Sequence, residues 1–124
     1  MTPTELHNLV APLWAARPEC RPHHNCYPMT LVGDGWRYGD MDNDQWFPCD
    51  DDEATERIEW HVDRLLDDVA KKHKTFWTCF FASAIGQYQL LMDGLLGVAA
   101  QYDHDRLTAK VKLAKKLLGI EDKP

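Results

Sequence analysis

At 124 residues, with 44% apolar side chains and five tryptophans, the chain is long and apolar enough for a packed core, which excludes wholesale disorder. Its formal charge of −6 is unevenly spread: residues 1–70 hold 15 acids against 5 arginines, and residues 71–124 hold 5 acids against 9 lysines and arginines. So acidic an N-terminal half is excluded from gripping nucleic acid directly, because phosphate contacts need Lys and Arg, and it suits a basic partner.

No stretch reaches the roughly 18 consecutive apolar residues of a membrane span. The most apolar region, Phe76 to Ala100, is interrupted by Gln87, Gln89 and Asp93. The N-terminus has no basic segment leading into an apolar one, so no signal peptide is expected. A cytoplasmic location follows as the expectation, with the four cysteines as thiols. The length suits one domain spanning 1–124.

In chain order, Thr2-Pro3-Thr4-Glu5 predicts a helix start: Thr2 as cap, Pro3 at the first helical position, Glu5 completing a capping box. Leu6, Leu9, Val10, Leu13 and Trp14 then form an apolar stripe, with Pro12 as a kink and an end near Arg17, before Pro18. Residues 18–28 hold three prolines and predict no regular element. Met29 to Val32, Trp36 to Tyr38 and Gln45 to Phe47 read as a small antiparallel meander, with turns at Gly33-Asp34-Gly35 and Asp42-Asn43-Asp44.

Asp50-Asp51-Asp52-Glu53 opens a second helix, where acids complement the positive end of the macrodipole. Ile58, Val62, Leu65 and Val69 mark its buried face, and Lys71, Lys72 and Lys74 its end. Thr75 to about Tyr102, apolar nearly all round, predicts a central or interface helix with Leu90, Leu91, Leu95 and Leu96 buried. Asp103 to Asp105 starts a last helix with Leu107, Val111, Ala114 and Leu118 inward, Lys112, Lys115 and Lys116 opposite, and Gly119 as its cap. The fold class is therefore α+β: an N-terminal helix, a short antiparallel β-meander, then three C-terminal helices.

Cys20, His23, His24 and Cys26 lie close in sequence, with Cys49 after the meander. Were zinc bound, Cys20, His23, Cys26 and Cys49 would be its ligands, giving a zinc-stabilised small module. The second short-spaced pair usual in such sites is missing, so no metal and no cofactor are expected. Asp40, Asp42 and Asp44 begin like a calcium loop, but Gln45 stands where Gly is needed and Asp51 where a bidentate Glu is needed. Glu53, Glu56 and Glu59 repeat every three residues, as in small metal-dependent hydrolases. Such enzymes need facing carboxylates, and the third segment offers only Asp93. No phosphate-binding loop, nucleophile elbow or His-Glu-x-x-His pair is present, so the chain is read as non-enzymatic.

The most informative pattern is on the second helix. At about 100° per residue, Asp52, Glu56, Glu59, Asp63 and Asp67 fall within roughly 80° of one another. Like charges four residues apart cost a few tenths of a kcal/mol per pair, which interspersed lysines would avoid. Trp60 borders this stripe, and Trp beside a charged surface is a frequent interface anchor. These six residues are the candidate partner-binding site. Rows of carboxylates can stand in for nucleic-acid phosphates, so the expected function is an acidic binding protein, an inhibitor or nucleic-acid mimic that blocks a basic protein target such as a nucleic-acid-binding protein. No direct nucleic-acid or membrane partner is expected, and a homodimer would form through the 75–102 helix. In general character the chain resembles phage-encoded accessory proteins that disable host defence or transcription machinery, anti-CRISPR proteins among them. That likeness is one of type and assigns no family.

Overall fold

The computed structural model describes residues 2–24, 27–40, 45–92, 99–103 and 105–120. The chain divides into two compact units, residues 1–61 and 62–124.

The first unit opens with α1 (Pro3–Ala16). The Thr2 hydroxyl accepts from the Glu5 N–H at 3.1 Å, and the Glu5 carboxylate accepts from the Thr2 N–H at 3.2 Å, so the capping box closes as the spacing requires. Those hydrogen bonds hold the Glu5 carboxyl below its usual pKa. Leu6, Val10, Leu13 and Trp14 are buried, α1 continues through Pro12, and Arg17 caps its end.

The proline-rich segment is more ordered than expected. A 3-10 turn covers Pro18–Cys20 and a two-residue strand, β1, covers His23–His24. Prolines cannot donate, so this segment is tied down otherwise. The Arg21 guanidinium donates to the Met29 carbonyl at 2.9 and 3.1 Å and to the Thr30 hydroxyl at 3.1 Å. The Met29 N–H reaches the Pro22 carbonyl at 2.8 Å.

The meander forms as β2 (Tyr27–Val32), β3 (Gly35–Asp40) and β4 (Gln45–Cys49), in an antiparallel sheet of order β1-β2-β3-β4. Val32 pairs with Gly35, so Gly33-Asp34 is a two-residue turn with Gly33 left-handed at φ 64°, the geometry that favours glycine in tight hairpins. Met29 pairs with Tyr38 and Trp36 with Cys49, and all four are buried. The Trp36 ring meets Trp14 edge-on at 6.2 Å and His7 at 6.0 Å, which seats α1 on this sheet.

Helix α2 (Asp51–Lys72) gives residues 51–61 to the first unit and the rest to the second. Its start is capped by the Asp50 carboxylate, which accepts from the Glu53 N–H at 2.8 Å. Ala54 and Ile58 are buried in the first unit and Val62, Leu65, Leu66 and Ala70 in the second. Val69 is half-buried.

The second unit corrects the expectation for residues 75–102. Among the described residues no helix forms there: β5 (Trp77–Ala82), β6 (Gln87–Met92) and β7 (Ala99–Asp103) make an antiparallel sheet of order β5-β6-β7. Apolarity on every side is shared by buried helices and buried strands, and periodicity alone does not separate them. The deciding signals are the run of Thr and aromatic residues from Thr75 to Phe81, which favours strand, and Gly86. At φ 66° Gly86 closes a turn whose N–H donates to the Ala82 carbonyl at 2.9 Å. Leu90 and Met92 are fully buried and Leu91 is half-buried; Leu95 and Leu96 lie outside the described residues, as do the Asp42–Asp44 turn and Asp93.

Helix α3 (Arg106–Leu118) follows. The Asp105 carboxylate caps it, accepting from the Thr108 N–H at 2.8 Å, and Gly119 ends it left-handed. Leu107, Val111 and Ala114 are buried as expected, but so are Ala109, Leu113, Lys110 and Lys115. Burial wider than one stripe brings Lys115, expected opposite the core, inside. The fold is α+β, yet among the described residues the expected three C-terminal helices are two, α2 and α3, with a three-stranded sheet between them in chain order. Among the described residues no helix is long and apolar enough to cross a membrane.

Candidate functional site

In the first unit, Glu53, Glu56, Arg57, Trp60 and His61 line an open groove of about 380 Å³. Their spacing of three and four residues is that of one helix face, so α2 alone brings them together. Trp60 is 53% exposed and meets the His61 ring edge-on at 4.8 Å. The Arg57 guanidinium donates to the Glu53 carboxylate at 3.1 Å and lies 5.7 Å from the centre of the Tyr38 ring. The result is a shelf with carboxylates on two turns, one exposed indole and one cation held to its own helix.

Below that shelf the groups are inert. Burial, with the nearby Cys49 and Glu53, pushes the Tyr38 hydroxyl up to about 12, against the pull of Arg57. Burial likewise pushes the Cys49 thiol up, which keeps it protonated and a poor nucleophile near neutral pH.

The six residues chosen from sequence divide between the units. Asp52 and Glu56 are exposed and Glu59 half-buried, and these belong with Trp60 in the first unit. Asp63 and Asp67 belong to the second, where both are engaged. The Lys110 ammonium lies 2.8 Å from Asp63 Oδ1, and the Trp77 indole N–H donates to Asp67 Oδ1 at 2.6 Å. Lys110 Nζ stands 5.5 Å over the Trp77 ring, so the cluster closes on itself. Sequence reading missed Arg57 and His61 as groove residues, although the Glu53–Arg57 spacing of four was a signal for the pair.

Of the residues considered for zinc, Cys20 and Cys49 are buried thiols, His23 is exposed, and Cys26 lies outside the described residues. Among the described residues no three or more His, Cys, Asp or Glu side chains gather as a metal would require. Glu53, Glu56 and Glu59 follow one another along α2, and Glu53 is spent on Arg57.

No protein-family model matches the chain, and no curated protein or solved structure matches it either.

Proposed function

We propose that the protein is a non-enzymatic, cytoplasmic binding protein that presents the first half of α2 to a basic protein surface and blocks it, as an inhibitor or nucleic-acid mimic would. The observation that carries this reading is Trp60, a large indole more than half exposed on a helix face it shares with Glu53, Glu56, Arg57 and His61. An indole with half its surface in solvent contributes less to the fold than a buried one, whereas an aromatic anchor ringed by charge is a frequent centre of a binding surface. Asp52, Glu56 and Glu59 supply the field that steers a basic partner in. Asp63 and Asp67 contribute less, because Lys110 and Trp77 already occupy one oxygen of each. The excess of acids in residues 1–61 supports a basic partner, such as the nucleic-acid site of another protein.

The test is affinity capture from a host lysate followed by binding kinetics over a series of salt concentrations. Glu56→Lys with Glu59→Lys is expected to slow association at least about tenfold with little change in dissociation, because long-range charge acts on encounter. Added salt weakens the wild-type complex in the same way, through screening over a Debye length of about 8 Å at physiological ionic strength. Trp60→Ala raises the dissociation rate. Salt-independent binding that survives the double reversal would leave the acidic face a solvated surface and remove this function.

A further inference from the structure

The second unit has an open cleft of its own, at the end of α2, and it does not depend on the acidic face. The cleft measures about 480 Å³, and Asp67, Lys71, Lys74, Phe76 and Trp77 are among its lining residues. Its two cations are unspent on the fold. Helical spacing offers Lys71 an ion pair with Asp67, four residues earlier, and that pair does not form. The Asp67 carboxylate takes the Trp77 indole N–H at 2.6 Å instead. Among the described residues neither the Lys71 nor the Lys74 ammonium has an ion pair or a hydrogen bond. The end of the helix does not need them either. The Lys74 N–H donates to the Lys71 carbonyl at 3.1 Å and the Thr75 N–H to the Ala70 carbonyl at 2.9 Å, so the backbone closes its own last turn. That closure holds Lys74 left-handed at φ 53°, in the position where glycine is usual. A lysine there is kept against the local backbone preference. Beside it Phe76 is 67% exposed, more than any other large apolar side chain described.

We propose that this cleft binds a small nucleotide, a planar base joined to a phosphate. The volume falls in the range of about 300–1,000 Å³ typical of small-molecule sites, and the lining divides by chemistry. Lys71 and Lys74 supply two positive charges for the nearly two negative charges of a terminal phosphate at neutral pH. A ligand with a single carboxylate would leave one of them unmet. Phe76 offers an exposed ring on which a base stacks, an interaction open to every base because each has a π-face. Asp67 accepts from an N–H of the base while its Oδ1 stays on the Trp77 indole. Trp77 is in turn held from behind: the Lys110 ammonium stands 5.5 Å over its ring and 2.8 Å from Asp63 Oδ1. One wall is therefore set before the ligand arrives, which lowers the ordering cost of binding.

Calorimetric titration of the full chain tests this, with adenosine and uridine 5′-monophosphates, the matching nucleosides and inorganic phosphate as probes. At least one monophosphate is expected to bind with a Kd of about 10–100 µM, the range that ligand efficiency allows for its size. Its nucleoside and inorganic phosphate should each bind at least about tenfold more weakly, because each engages half of the lining. Lys71→Gln should weaken the nucleotide about tenfold, and Phe76→Ala should do the same while leaving the affinity for inorganic phosphate unchanged. Lys74→Gly should also weaken it about tenfold, yet keep or raise the thermal midpoint, since glycine suits φ 53° better than lysine does. A lysine with a merely structural role would not give that split. Lys72→Gln makes the same charge change at an exposed neighbour outside the cleft lining, and should shift the affinity by no more than about twofold. No binding of either monophosphate up to about 1 mM, a nucleoside or inorganic phosphate bound as tightly as the nucleotide, or wild-type affinity in both Lys71→Gln and Lys74→Gly would each overturn the proposal.

Discussion

The two units solve the problem of charge in opposite ways. Residues 1–61 hold 12 acids against 4 arginines, and residues 62–124 hold 8 acids against 10 lysines and arginines. In the first unit the side chains of the Glu53–Arg57 pair are 41% and 51% exposed, and the core beneath is aromatic and sulfur-containing: Trp14, Trp36, Tyr38, Met29 and Cys49. In the second unit charge is drawn inward: the Lys110 side chain is only 8% exposed, against Asp63 at 34%. Lys112 is bound to Asp103 at 2.6 Å. The uncovered surface there is apolar instead, along β5. An acidic residue on α2 therefore means one thing in its first half and another in its second. In the first it belongs to a surface; in the second it holds a sheet and a helix together.

Core truncations should break the comparison hardest. Trp36→Ala removes a side chain only 1% exposed and Leu90→Ala one fully buried, and each is expected to cost roughly 2–5 kcal/mol in denaturant unfolding. If the units are distinct, amide exchange should accelerate first in β2–β4 for Trp36→Ala and first in β6 for Leu90→Ala. Equal acceleration throughout both units would show one cooperative body.

The charged pairs sharpen it next. Lys110→Met should cost about 1–3 kcal/mol, because Asp63 loses its ammonium partner inside the second unit. Arg57→Ala breaks an exposed pair and should change stability by no more than about 0.5 kcal/mol. Equal effects would erase the distinction between interior and surface charge drawn above.

A smaller effect is confined to alkaline pH and to the first unit. Tyr38 is held neutral up to about 12 by burial, whereas an unfolded tyrosine ionises near 10. Above pH 10 the unfolded chain sheds this proton and the folded one does not, so stability present below pH 10 is lost as pH rises towards 12. The loss should be no more than about 2 kcal/mol, allowing for partial solvent screening. Tyr38→Phe should flatten that limb of the stability–pH curve and leave the curve below pH 9 in shape. An unchanged alkaline limb in the variant would show that Tyr38 does not cause it.

What the sequence determined by itself was whatever depends on neighbours within about four residues. The capping box at Thr2 and Glu5, the Gly33-Asp34 hairpin, the acidic start of α2 and the cap and end of α3 are all short-range chemistry, and each lies where the residues placed it. The groove face of α2 was legible in part: Glu56 and Trp60 were picked out, whereas Arg57 and His61 were missed although helical spacing alone joins all of them. Tertiary structure decided the rest. Trp77–Ala82 and Gln87–Met92 are strands because β5 and β6 bury Leu90 and Met92 as a sheet, a choice that an evenly apolar run leaves open. Asp63 and Asp67 gained partners only when Lys110, on α3, and Trp77, on β5, arrived from elsewhere in the chain. Periodicity reports which side chains share a face of one element, but it carries no information on which other element will cover that face.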